Sequence, residues 1–554
     1  MWFLNSRKTR RTADRRPGRS SYRPRLEWLE TRCLLSGPGS LDTTFGSGGI
    51  VMTSLSNPGD QAFASVLQPN GDIVAVGGTI SGSHHKSTPA FALVRYTPSG
   101  NLDTTFGSGG EVVTVFGGTD AHAYAAALYP NAGTGNDGKI VAVGGNGNVQ
   151  LARYNPNGSL DTTFGNGGEV STALSNSAYG YSVALQSDGK IVVGGALLVN
   201  AGLNVWDFVV LRYNVNGTLD STFGAGGEVT TSLGPTTHDG INSLEIQSDG
   251  KIVAGGEAEV NNQFDFGLAR YNANGSLDST FGSGGIVSTA WSSQSEIFGL
   301  ALQSDGKIVA VGSVSVPSGN EWAMARYNTG GTLDTTFGSG GLVATNMPSP
   351  GTCKATAVAI QSNGEIVAAG NAPGNGTVPP SFGVATYTAA GALDPGFGGT
   401  GVVTTAIGTG AKAASVLVQP ADGKVVVVGW AGDASKSGAP DFAVARYIGT
   451  TTTARIGSLT ASPNPATSGS SSTSLTASNI TDADPGSSNT QATFYHLDST
   501  GNELTLGNCT QTNPGVWTPT YMANLASVTH TQYTQAEDSY GVFGDLVALT
   551  LTVQ

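Results

Sequence analysis

LDTTFGSGGIV, residues 41–51, returns as LDTTFGSGGEV from Leu102, LDTTFGNGGEV from Leu160, LDSTFGAGGEV from Leu219, LDSTFGSGGIV from Leu277, LDTTFGSGGLV from Leu333 and LDPGFGGTGVV from Leu393. A segment repeated every 56 to 61 residues marks a repeat architecture. In such a fold each unit is one supersecondary structure that buries its apolar faces against its neighbours. After each copy come three further strand-like stretches: a short one ending in Leu-Gln or similar, then, past a turn such as Ser187-Asp188-Gly189, a run like KIVVGG, and finally a run like DFVVLRY. Asp-Gly and Asn-Gly supply the positive φ angles of tight hairpins, so successive strands run antiparallel. The run after the turn is apolar at consecutive positions (73–76, 191–193, 425–428), which requires cover on both faces.

Four strands per unit, with no room for a crossover helix, stack around an axis as a seven-bladed β-propeller over residues 38–449. The alternative, a linear β-solenoid, usually has shorter repeats and capping ends. Closure is expected from the ends: Leu41-Asp42 has no preceding Arg-Tyr strand, and Arg446-Tyr447 has no following Leu-Asp. The aspartate of each copy, from Asp42 to Asp394, fits an Asx-type turn. The phenylalanine after it, Phe281 for example, reads as a wedge between blades. Arginine stands in six of the seven Arg-Tyr pairs and is expected to pair with that aspartate. The exception is Thr386, and the copy that follows it is the altered LDPGFG.

LDxxFGxGG followed by QxDGKIVxGG and RY resembles the delta-60 repeat family over all seven units, which implies an extracellular β-propeller-like region of largely unassigned activity. Residues 22–37, YRPRLEWLETRCLLSG, resemble the LEPR-XLL segment of exported planctomycete proteins, with Thr31 where proline is usual. Residues 1–37 therefore read as a basic, mostly disordered targeting segment, and the expected location is extracellular or at the cell surface. A Ser/Thr-rich linker and domain start covers 450–470. Residues 471–554, with strand-like runs at 492–498, 516–521, 531–538 and 546–553, resemble a bacterial Ig-like or cadherin-like module, expected to be a small β-sandwich. Asp482 and Asp484 resemble a calcium-linking Asp-x-Asp loop, although Asp-Pro-Gly is also a plain turn.

Charged residues make up 12% of the 554, and the net charge of −13 hides a split: the first 36 residues hold ten Lys/Arg against three Asp/Glu. The acidic remainder has no Lys/Arg cluster to hold phosphates, so nucleic acid is excluded as a partner. No stretch is apolar for the eighteen or so residues of a spanning helix, so no membrane span is expected. Cys33, Cys353 and Cys509 are too scattered for a disulfide framework or a zinc site.

The loops that vary between units share one face of the ring and carry His84, His85, His122, Trp206, His238, Trp291, Trp322 and Trp430, groups suited to stacking on sugars or anchoring a protein. Glu111, Glu169 and Glu228 precede the first-strand valine in three consecutive units. If that strand is innermost they form an arc at the channel mouth, able to hold calcium; no other cofactor is expected. Glu245 stands where its siblings are Ala184, Ala301 and Ala359. There is no GxSxG elbow, HExxH, P-loop or sialidase-type Asp box, and the repeated GG pairs read as strand ends. The expected function is an exported, non-enzymatic binding or adhesion scaffold for a protein or polysaccharide. The alternative is a carbohydrate-active lyase or glycosidase using channel carboxylates.

Overall fold

Seven four-stranded antiparallel sheets follow one another along the chain and form a seven-bladed β-propeller. The structure, a computed structural model, describes residues 37–450 apart from 56–58, 82–87, 117–120, 235–237, 261, 349–350, 375–378, 421 and 437, together with strands between Ser458 and Thr552. His84, His85, Cys33, Cys509, Asp482, Asp484 and all but the last residue of the targeting segment lie outside the described residues.

The first blade orders its strands Gln61–Leu67, Ile73–Ser81, Thr88–Tyr96 and Glu111–Thr114. Glu111–Thr114 comes from the next copy of the repeat, so each structural blade is offset by one strand from the sequence unit. The seventh blade, Ala411–Val418, Val425–Asp433 and Ala439–Tyr447, lacks a following copy and takes the N-terminal strand Ile50–Thr53 as its fourth, with Ile50 opposite Ala445 and Thr53 opposite Phe442. The ends complete one another, as expected, and the closed ring leaves no exposed edge between first and last blades.

The first strand of each sheet neighbours its counterparts in the adjoining blades and is therefore innermost: Gln61–Leu67, Ala123–Leu128, Ala178–Leu185, Gly240–Ile246, Ser295–Leu302, Lys354–Ile360 and Ala411–Val418. Side chains bridge these strands directly. Ser182 Oγ accepts from the Leu244 amide at 3.0 Å, and Ser243 Oγ accepts from the Leu300 amide at 3.0 Å. The apolar core lies between blades. Val253, Phe266, Leu268 and Phe281 of blade four, for instance, pack with Ile297, Leu300, Ile308 and Ala310 of blade five.

At the end of the ring that carries the repeated turns, one lock recurs. Arg270 donates through Nε to Asp278 at 2.8 Å, lies 4.5 Å from the Phe281 ring centre, and reaches the Thr329 carbonyl of the next blade. The same set closes the ring, with Arg446 on Asp42 at 2.8 Å, on Phe45 at 4.6 Å and on the Pro98 carbonyl. Asp278 also accepts from the backbone amide and hydroxyl of Thr280, the expected Asx turn. Phe281 is fully buried, and Gly331 of the following blade, at φ +86°, has no room for a Cβ because the Phe281 ring would lie 2.9 Å from it. Each blade's tyrosine bonds a threonine of the preceding blade's outermost strand, as Tyr271 does with Thr231 at 3.0 Å. Where Thr386 replaces the arginine, its buried hydroxyl finds no partner among the described residues, and Asp394 is only half-buried.

Strands between Ser458 and Thr552 pair into two further antiparallel sheets. Among the described residues the only helix is the single turn Ala434–Lys436, and no helix is long and apolar enough to cross a membrane.

Candidate functional site

The second strand of every blade carries a glycine at one fixed register: Gly77, Gly144, Gly195, Gly256, Gly312, Gly370 and Gly429. A Cβ at Gly195 would stand 1.8 Å from the Tyr179 carbonyl, and the other six would meet the equivalent carbonyl at 1.8 to 2.1 Å. That close approach lets the innermost strand take one extra residue in a β-bulge, which swings a side chain out of the ladder. The GG pairs of this strand, such as Gly194-Gly195, are therefore interior positions opposite a bulge, whereas those of the LDxxFGxGG segment, such as Gly226-Gly227, directly precede a strand as expected.

The bulged residues are Phe63, Tyr124, Tyr181, Asn242, Phe298, Thr356 and Ala414, one per blade, all half-buried although they stand on the innermost strands. Their exposed portion faces the central channel. Two residues earlier, towards the variable loops, lie Gln61, His122, Tyr179, Gly240, Glu296, Lys354 and Lys412. These two tiers make a funnel opening on the variable-loop face. At Gly240 the missing side chain makes room for Glu257 of the paired strand, whose Oε1 lies 3.7 Å from where a Cβ would be.

The funnel has two unlike halves. In blades one to three Phe63 and Tyr124 have ring centres 5.4 Å apart, Tyr124 and Tyr181 5.4 Å, Tyr181 and Tyr179 5.7 Å and nearly parallel, and Tyr179 and Trp206 5.6 Å. His122 lies beside this arc, 6.3 Å from Phe63 and 6.5 Å from Tyr124. Burial raises the Tyr124 and Tyr181 hydroxyls above the usual phenol range, so both stay protonated donors. In blades four to seven the residues are ionic. Burial, reinforced by Glu296 and Asp239, pushes Glu257 up to about 8. Burial also raises Glu296, against the opposing charge of Lys354 and a 3.4 Å contact from Asn242 Nδ2. Lys354 Nζ sits 3.7 Å from the Phe298 ring centre, and Lys412 Nζ 5.3 Å from that of Trp430.

The structure sorts the residues expected from the sequence. His122, Trp206 and Trp430 join the funnel or its rim. His238 lies beside Trp206, its Nε2 3.0 Å from Asn204 Nδ2 and its Nδ1 3.4 Å from Glu259, while Asn204 accepts from the Trp206 indole at 3.1 Å. Trp322 is a correction: it is 1% exposed, lies in the core and donates to the Asn371 carbonyl at 3.2 Å. Trp291 is another, since it packs on Phe266 at 5.5 Å at the edge of the core between blades four and five. The calcium arc also fails. Glu111, Glu169 and Glu228 open the outermost strands of three separate blades, the opposite edge of the sheet from the channel. No group of three or more metal-binding side chains forms among the described residues. Glu245 stands on the innermost strand beyond the bulge, half-buried, with its carboxyl pushed up to about 7 by burial.

Tyr124, Tyr179, Tyr181, Glu257, Glu296, Lys354 and Lys412 were not singled out from the sequence. The signal that marks them is the repeated glycine: the residue that faces it is buried, and the residues just before and just after that one are aimed into the channel, with Glu257 directly following the glycine itself.

Six segments, residues 68–106, 135–164, 186–223, 247–281, 303–337 and 421–447, match a family model described as a β-propeller domain of unknown function (DUF5122). The chain is thus a propeller-repeat protein. No curated protein matches it. Among solved structures it is similar to the polysaccharide lyase Uly1, at 13% identity over 72% of this chain and 91% of that one, with a TM-score of 0.40. It is also similar to the PQQ-bound aldose sugar dehydrogenase of Streptomyces coelicolor, at 11% identity over 74% of this chain and 100% of that one, with a TM-score of 0.34. Likeness at this level says nothing about activity.

Proposed function

We propose that this chain is an exported, non-enzymatic binding protein that holds a polysaccharide in the funnel on the variable-loop face of its propeller. The observation that carries this reading is the arc of Phe63, Tyr124, Tyr181, Tyr179 and Trp206, an aromatic surface spanning three blades inside a concavity. Aromatic faces bury the apolar face of a sugar ring, while the tyrosine hydroxyls and Asn242 supply the few polar contacts that fix its orientation. A recess of this kind suits a narrow polymer better than the broad, flat contact of a protein partner. Export rests on the N-terminal segment alone. The Ig-like module, read from sequence, would act as a spacer or adhesion unit.

A glycan array probed with the full chain tests the binding. Saccharide binding that is lost in Tyr124→Ala/Tyr181→Ala supports it, and binding unchanged in that variant would place the site elsewhere.

One observation favours a second reading. Glu257, protonated near neutrality, shares the mouth with Glu296, and an acid beside a base is what glycosidic bond cleavage requires. Incubating any bound glycan with the protein and assaying for new chain ends decides it. Turnover abolished by Glu257→Gln would replace the binding reading, and intact polymer after prolonged incubation would retire the enzyme.

A further inference from the structure

In an acidic protein a cation without an ion-pair partner stands out, and the two such cations among the described residues lie in the funnel. Every described arginine, and every described lysine except Lys354 and Lys412, has an aspartate oxygen within 3.2 Å. Those partners belong to the turns and the lock between blades, apart from Asp441 on the third strand of blade seven, which holds Lys436, and there the charge is consumed by the fold. Lys354 and Lys412 have no carboxylate within ion-pair distance among the described residues. Each stands one residue before the position that faces the bulge glycine (Ala355 opposite Gly370, Ala413 opposite Gly429), on the innermost strands of the adjoining blades six and seven, so the topology brings the two side chains together at the mouth of the channel. Each is steadied by an aromatic face, Phe298 at 3.7 Å and Trp430 at 5.3 Å, which directs the long side chain without neutralising it.

Resting on the saccharide reading above, we infer that the ligand is an acidic polysaccharide, whose carboxylate or sulfate ester sits against Lys354 and Lys412 while an adjoining sugar ring stacks on the Tyr124 and Tyr181 arc. The neighbouring groups agree with this. Burial, together with Glu296 and Asp239, keeps Glu257 largely protonated near neutrality, so at that point the mouth presents a hydrogen-bond donor to an anion. Burial lowers the Lys354 amine, the charge of Glu296 works against this and Glu257 does so more weakly, and the nearby Lys412 lowers it, an unfavourable pairing of like charges that an anionic ligand relieves. The net charge of −13 repels polyanions in general, so a polyanion that binds must find a local basic site.

The test is calorimetric titration of the full chain with polygalacturonate, heparin and the neutral polymer dextran, on wild type, Lys354→Met/Lys412→Met and Tyr124→Ala/Tyr181→Ala, each checked for an intact melting transition. The expected result is binding of polygalacturonate or heparin at least tenfold tighter than dextran, weakened at least tenfold by the lysine pair. Which acidic polymer binds separates carboxylate from sulfate recognition. Dextran bound as tightly as the acidic polymers, or acidic binding untouched by the lysine variant, overturns the anionic ligand while leaving saccharide binding in place. Silence towards all three polymers, with the tyrosine variant indistinguishable from wild type on a wider glycan array, overturns both.

Discussion

The two ends of the propeller spend their charged and aromatic residues in opposite ways. At the repeated-turn end arginine, aspartate and phenylalanine interlock in six of seven blades, with every charge met and every ring buried, as in Arg270, Asp278 and Phe281. At the funnel end the same kinds of group stand half-exposed, with two lysines unpaired and two carboxyls held away from their ordinary ionisation. A buried ion pair that also donates to the next blade fixes geometry, and breaking one is costly. Groups left unsatisfied within a rigid ring are available to something else. The difference teaches that stability and recognition are built at opposite ends of the same strands.

The harshest way to break the comparison is to open the ring. Deleting residues 1–53 removes both Asp42 and the strand Ile50–Thr53 that completes blade seven. Unfolding in denaturant should lose its single cooperative transition, with about 5 kcal/mol or more of stability gone. A sharp, unshifted transition would mean that the seventh blade closes without it.

Next is a matched pair of aromatic deletions. Phe281→Ala empties a fully buried wedge and should cost about 3 to 5 kcal/mol. Tyr124→Ala trims a half-buried ring in the channel and should cost less than about 2 kcal/mol. Equal losses by chemical denaturation would erase the division between the two ends.

The ends should also respond oppositely to pH. At the turns the Thr280 hydroxyl, working against burial and aided by the Thr280 amide, Lys251 and Arg270, holds Asp278 far below the usual carboxylate range. Its contribution is therefore present above the unfolded value near about 4 and is lost as pH falls below it. Glu257 is raised to about 8, so the folded chain holds a proton that the unfolded chain releases above about pH 4, and this site subtracts stability as pH climbs towards 8. Denaturant midpoints from pH 3 to 9 should show an acid limb common to wild type and Glu257→Gln. The variant should gain about 1 to 2 kcal/mol near pH 8, and a gain independent of pH would remove the titration as its cause.

The smallest effect belongs to blade six. Thr386→Val replaces a buried hydroxyl that lacks a partner with an isosteric methyl and should stabilise by about 1 kcal/mol in a thermal melt. A loss of that size would show that the hydroxyl is satisfied in solution.

Much of this architecture was legible in the amino-acid order. The period, the four strands per unit, closure of the ring by complementary ends, the arginine and aspartate pairing and the wedge at Phe281 all follow from residues that occur once per unit, because each has its partner in its own blade or the next. What the order of residues did not decide was the phase of the blade. The first strand of the unit, carrying Glu111, Glu169 and Glu228, is as short and half-apolar as an inner strand could be. Only pairing with the strand before it places it at the outer edge. The funnel was hidden for a related reason. Tyr124, Tyr181, Glu296 and Lys354 each occur once, stand one or two blades apart in sequence, and sit at, or two residues before, the point where the strand departs from its in-and-out alternation. Only the close approach of backbone to glycine in the folded sheet creates the bulge that turns them into the channel.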